Sequence, residues 1–206
     1  MTPQPPTAFV TWAHSGAGWT QTQREDWAET VAQFAGALTI HGVDTDLDLY
    51  HLTEPGTDWT RYGPQAIESA NFILFAVSQA WTRRFDGTED RSVGAGASQE
   101  ADALQGIYQR DREEFRRRVM LVYLPGADTG EVPATLHNLL RFTLPALTRP
   151  HLDDLLRALH GQPRYVRPAL GAAPDFETAA PATMRAMLAL NACAADSQRS
   201  EPAWPS

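Results

Sequence analysis

Two uninterrupted apolar runs constrain this chain more than any other feature: NFILFAVS at Asn71–Ser78 and VMLVYLP at Val119–Pro125. Short apolar runs bounded by polar segments fit strands buried on both faces, and such strands belong to parallel sheets covered by helices. The intervening segments agree. AFVTW (Ala8–Trp12) reads as a first strand, followed by a helix with Trp27, Val31, Phe34 and Leu38 on one face. His41-Gly42 ends that helix, with glycine just past the last turn. In VDTDLDLYHL, Val43, Thr45, Leu47 and Leu49 alternate with Asp44, Asp46, Asp48 and Tyr50. That pattern marks a strand covered on one face only, hence a sheet edge, with Asp48 as an exposed strand acid.

Pro64–Ala70 reads as a short helix with proline in its first turn. Arg91–Asp111 reads as a loop of small residues opening a helix, its apolar face formed by Leu104, Ile107 and Tyr108. RFTLPAL holds a short last strand. HLDDLLRALHG is a last helix with Leu152, Leu155, Leu156 and Leu159 inward. The run RDREEFRRR (Arg110–Arg118) reads as the solvated end of a helix. Repeated alternation of strand and helix predicts an α/β fold, a doubly wound, flavodoxin-like parallel sheet of about five strands with helices on both faces. The domain is expected over residues 7–171, between an N-terminal extension (1–6) and an Ala/Pro-rich tail (172–206) with a short helix.

Composition removes several chemistries. All seventeen basic residues are arginine. A P-loop, a Schiff base and a kinase active site each need a lysine that this chain lacks. Cys193 is the single cysteine, which excludes an internal disulfide and a cysteine-based zinc site. The six histidines are scattered, so no metal is expected. A net charge of −8 argues against nucleic acid as a partner. No signal peptide or membrane-length apolar run is visible, so no membrane partner and a cytoplasmic location are expected.

Counting back one helical repeat from Leu104 places Glu100 on the inward face of its helix. An acid in a first turn ordinarily serves the helix dipole. In a doubly wound sheet, however, ligands collect beyond the carboxyl ends of the strands, where the winding reverses. Trp12, Ala13, His14 and Ser15 follow the first strand there, and Ser78 and Trp81 follow the third. These six are the candidate ligand-contacting residues, with Glu100 looking into the same crevice. Plainer readings stand beside them: Trp12 and Trp81 as packing residues, Ser78 as a helix cap, His14 as a loop histidine. VGAGASQE is not a dinucleotide fingerprint, because it does not directly follow a strand and has Gln99 where the third glycine belongs.

In their order, AFVTWAHS, REDWAETVAQFAGAL, HGVDTDLDLYHLTEPGTDW, SANFILFAVSQAW and RSVGAGASQEADAL resemble a Toll/interleukin-receptor (TIR) domain, most closely its SEFIR branch. The resemblance covers roughly residues 7–171, and the last stretch is similar to the glycine-containing segment before a glutamate in bacterial SEFIR proteins. The chain departs from common TIR patterns in lacking a Trp-Cys pair before the acid and in carrying His14 in the first box. The resemblance implies one of two functions. Many bacterial and plant members cleave the nicotinamide–ribose bond of NAD with one glutamate, here Glu100, in immune-type signalling or defence. Many animal members do no chemistry and act as interaction modules. NAD would be a substrate, so no cofactor is implied. The aromatic loop Glu54–Gly63, with Trp59 and Tyr62, is implied in self-association.

The cleavage suits these residues. Nicotinamide leaves a pyridinium as a neutral molecule and needs no acid, while positive charge builds on the ribose. One carboxylate beside the ribose stabilises that charge without metal, lysine or cysteine. A third reading is a small-nucleotide or flavin binder, against which no phosphate-cradling loop follows the first strand.

Overall fold

The structure, a computed structural model, describes residues 4–88, 95–128, 132–178 and 184–191. Arg91–Gly94, which open the small-residue stretch before Glu100, and Cys193 lie outside the described residues, while Ala95–Ser98, expected as loop, already belong to the helix that carries Glu100. Five strands form one parallel sheet: β1 (Thr7–Thr11), β2 (Asp44–Asp46), β3 (Phe72–Ala76), β4 (Val119–Tyr123) and β5 (Leu140–Thr143). Their order is β2-β1-β3-β4-β5. The register pairs Phe9 with Asp46 on one side and Thr11 with Phe75 on the other. This is the doubly wound α/β order expected from the sequence, with the winding reversing between β1 and β3.

Strand alternation sends successive residues to opposite cores. On one face Ala8, Val10 and Trp12 pack with Leu74 and Val122 beneath α1 (Gln21–Ile40) and α6 (Arg149–Leu159). Trp27, Val31, Phe34 and Leu38 are buried there, as are Leu152, Leu155, Leu156 and Leu159. On the other face Phe9, Ile73, Phe75 and Leu121 pack beneath four helices. These are α2 (Trp59–Ser69), α3 (Gln79–Phe85), α4 (Ala95–Arg110) and α5 (Arg112–Arg118). Gly42, at φ 83°, takes the left-handed conformation that ends α1.

Four local expectations are corrected. The edge strand stops at Asp46, and a 3-10 turn follows at Asp48–His51, so Leu49 and Tyr50 leave the alternation. Asp48 is buried rather than exposed. His51 holds this turn, with one ring nitrogen 2.7 Å from Asp46 and the other 2.9 Å from Glu54. Helix α2 begins at Trp59, because the Asp58 side chain accepts from the Thr60 N–H and caps it there. Pro64 therefore lies inside the helix, with no N–H to give to the Thr60 carbonyl. The charge run divides at Asp111, which caps α5 by accepting from Glu113 and Glu114.

That run also has a structural task. Phe115 is buried, and the Arg118 guanidinium donates to the carbonyls of Ile67, Glu68 and Ala70 at the end of α2, at 2.7 Å for Ala70. Carbonyls at a helix end have no partner within the helix, so Arg118 supplies the donors. Glu114, 2.7 Å away, orients it.

The chain forms two units, Met1–Tyr165 and Val166–Ser206. In the second, residues 166–178 are exposed and without regular structure, and a helix spans 184–191 with Met184, Met187 and Leu188 exposed.

Arg118→Ala removes the donors at the end of α2 and is expected to lower unfolding free energy by about 1–3 kcal/mol. Urea denaturation measures this. A midpoint equal to that of the parent chain would mean that water replaces the guanidinium without loss.

Candidate functional site

Helix α4 brings Glu100 to the carboxyl end of β1. Leu104 and Ile107 anchor the helix in the core, and Glu100 enters on the same face one turn earlier, only 7% exposed. Its Oε2 accepts a hydrogen bond of 2.6 Å from the hydroxyl of Thr11, the last residue of β1. The Thr11 oxygen accepts in turn from the Trp81 indole N–H at 2.8 Å. An indole, a hydroxyl and a carboxylate thus form one directed chain, each donor polarising the next.

Space for the carboxylate comes from Gly63 on α2. A Cβ at that position would stand 2.6 Å from Glu100 Cγ, well inside van der Waals contact. Only glycine lets α2 pass over the acid at this depth.

A second acid lies on the other side of β1's end. Asp48 Oδ1 accepts from the Trp12 indole N–H at 2.8 Å, and its Oδ2 lies 2.5 Å from His14 Nε2. The His14 ring stacks on Trp12, with centroids 4.3 Å apart and planes at 26°. The loop is pinned further along by Arg84, which is buried and donates from Nη2 to the Ser15 carbonyl at 2.7 Å.

These neighbours set the proton affinity of Glu100. Burial is the largest influence and raises it; the Thr11 hydrogen bond opposes that, the Asp48 charge raises it, and His14 and Arg84 lower it. The net effect pushes the Glu100 carboxyl up to about 7. Burial also raises the Tyr62 hydroxyl above the usual phenol range, with the Asp46 charge as the next cause. A carboxyl that exchanges its proton near neutrality, at a strand's carboxyl end, has the marks of a functional group.

The candidate ligand-contacting residues have varied positions. His14 is exposed and Ser15 half-buried, while Trp12 and Ala13 are buried. Trp81 is fully enclosed between Phe75 and Phe85, so its indole is a hydrogen-bond donor and packing group with no open face for stacking. Ser78 caps α3, its Oγ accepting from the Trp81 N–H. A cavity of about 500 Å³ at this end of the sheet is lined by Ser78 but, among the described residues, by neither Glu100 nor Trp12–Ser15. Strand alternation separates Glu100 from it: Thr11 and Glu100 lie on the α4 face, and the cavity opens beside α1.

Four contributors escaped the sequence reading: Thr11, Asp48, Gly63 and Arg84. Thr11 had a signal, since two residues past Phe9 it shares that residue's face. Gly63, inside RYGP, carries the outward signature of a turn. Asp48 and Arg84 depend on contacts distant in sequence and carry no local mark. Among the described residues, no group of three His, Cys, Asp or Glu side chains is placed to hold a metal ion, and no helix is long and apolar enough to cross a membrane.

Residues 20–155 match the SEFIR domain family. Among solved structures, the chain is similar to one described as the crystal structure of a prokaryotic SEFIR domain, at 18% identity and a TM-score of 0.54, over 81% of this chain and 99% of that one. No curated protein matches the chain.

The raised Glu100 carboxyl predicts a pH-dependent stability difference. Between about 4.5, its ordinary value, and about 7 the folded chain holds a proton that the unfolded chain has released. Stability from this group is therefore full below that window and falls as pH rises through it. Glu100→Gln removes the penalty while keeping an acceptor for Thr11. The variant is expected to match the parent near pH 4.5 and to exceed it above pH 7 by on the order of 3 kcal/mol. Thermal midpoints of both proteins across this range check it; a difference independent of pH would refute the assignment.

Proposed function

As the chain belongs to the SEFIR family, signalling modules of the TIR superfamily, we propose that its Glu100 site cleaves the nicotinamide–ribose bond of NAD. The observation that carries this reading is the buried carboxylate at the end of β1, poised near neutrality and held by a hydroxyl. A carboxylate with only a packing role gains nothing from such a place, since burying its charge is costly.

In the proposed step the ribose hydroxyls donate to Glu100, beside the Thr11 hydroxyl. The C–N bond breaks, and its electron pair goes to the pyridinium nitrogen, which leaves as neutral nicotinamide. Positive charge develops on the ribose ring and is met by the ionised Glu100; water then attacks the ribose carbon and loses a proton to solvent. His14 and Arg84 help keep Glu100 ionised, and Asp48 opposes them. Because the anion does the work, the rate should rise with pH through the titration of Glu100.

A second reading rests on a different observation. Tyr50, Leu52 and Trp59 are exposed apolar side chains in and after the turn that leaves β2. Trp59 starts a helix and does not sit on a free loop, and its ring meets Tyr62 edge to face at 5.6 Å. Held in this way, it suits contact with a second copy, and self-association through this surface would make the domain an assembly module with or without catalysis.

The decisive experiment incubates concentrated protein with NAD and follows nicotinamide release by chromatography. Glu100→Gln is expected to reduce release at least about a hundredfold, the effect of losing one preorganised electrostatic group. Full activity in this variant would end the catalytic assignment and leave the assembly reading.

Trp59→Ala tests assembly separately. It is expected to lower nicotinamide release in dilute solution and to recover as protein concentration rises, with a matching shift in sedimentation. Unchanged sedimentation at every concentration would remove Trp59 from the interface.

A further inference from the structure

The cavity of about 500 Å³ takes no part in the chemistry assigned to Glu100. It opens among the loops that follow β1, β3 and β4, against the first turns of α1. This is the carboxyl end of the sheet at the reversal of winding, where doubly wound folds hold their ligands. The volume lies within the range of small-molecule pockets, roughly 300–1,000 Å³.

Its lining has a definite chemical character. Trp19 and Trp27 stand edge to face in the wall, 6.4 Å apart at 76°. Trp19 is fixed by the loop: a Cβ on Gly16 would come within 2.8 Å of its ring and 2.9 Å of the Ala80 Cβ, so the ring and the loop backbone fit only around glycine. Asp26 and Asp128, both exposed, contribute two carboxylates, and Arg83 is the one cation among the described lining residues. Of the described side-chain donors that line the cavity, only the Trp27 indole N–H is buried without an acceptor in the protein. That N–H is closed to solvent, so Trp27 meets the cavity through its ring carbons.

Indole walls and carboxylates that accept from hydroxyls suit an uncharged aromatic ring joined to a polyol. Phosphate does not suit them. It would face two carboxylates with one arginine in support, and the HSGAGW loop has no lysine to grip it. We propose that this cavity binds an uncharged nucleoside, its base against the indole wall and its ribose hydroxyls donating to Asp26 and Asp128. The site is separate from Glu100 and stands whether or not the domain cleaves NAD.

Calorimetric titration of the full chain with adenosine and with adenosine monophosphate tests this. Adenosine is expected to bind at one site per chain, and the monophosphate at least about tenfold more weakly. Thr30→Phe, which places a ring in the cavity, should abolish adenosine binding with the far-ultraviolet circular dichroism unchanged. The double variant Asp26→Asn, Asp128→Asn alters only exposed side chains, which keeps the test open if Thr30→Phe does not fold. It should weaken adenosine about tenfold and narrow the gap to the monophosphate. Glu100→Gln should leave adenosine binding intact. Absence of saturable adenosine binding, tighter binding of the monophosphate, or loss of binding in Glu100→Gln but not in the cavity variants would each overturn the proposal.

Discussion

The hydrogen bond from Thr11 to Glu100 is the interaction on which this end of the molecule depends. It joins the last residue of the inner strand β1 to the first turns of α4 across 89 positions of sequence. A carboxylate in that setting is costly unless its surroundings are arranged for it. The Trp81 indole strengthens the Thr11 hydroxyl as a donor, Gly63 gives room for the acid's stem, and His14 and Arg84 favour its charge. Asp48 works against them. The balance leaves the carboxyl near neutrality, neither a fixed ion nor a neutral core group. A core selected for stability alone has a simpler solution, which is to fill the space with apolar volume.

What the sequence revealed and what it concealed follow from how far each interaction reaches. The sheet was legible because β3 and β4 are buried on both faces, and continuous apolar runs such as Phe72–Ala76 leave few other assignments. The inward placement of Glu100 was legible because helical periodicity is local; Leu104 and Ile107 fix the phase of α4 within two turns. The turn after β2 was not. Alternation continues through Leu49 and Tyr50, yet the strand ends at Asp46 because the Asp48 side chain turns back to Trp12. The start of α2 was missed for a similar reason, since the capping role of Asp58 outweighs the helix-opening habit of Pro64. In RDREEFRRR, composition suggested a solvated face, and Arg118 instead closes a helix fifty residues earlier.

The same alternation that builds the two cores also distributes chemistry at the carboxyl end of β1. Thr11 and Trp12 are consecutive, and each donates to an acid: Thr11 to Glu100 and Trp12 to Asp48. One strand end therefore holds two carboxylates apart, and their charges interact without sharing a proton. His14, one residue beyond Ala13, touches Asp48 directly and acts on Glu100 through its field. A change that offsets the negative charge of Asp48 must lower the proton affinity of Glu100, because their repulsion is one of the forces raising it. Coupling between the turn after β2 and the acid on α4 thus needs no movement of the sheet. It follows from the last residue of β1 and the one after it facing opposite ways.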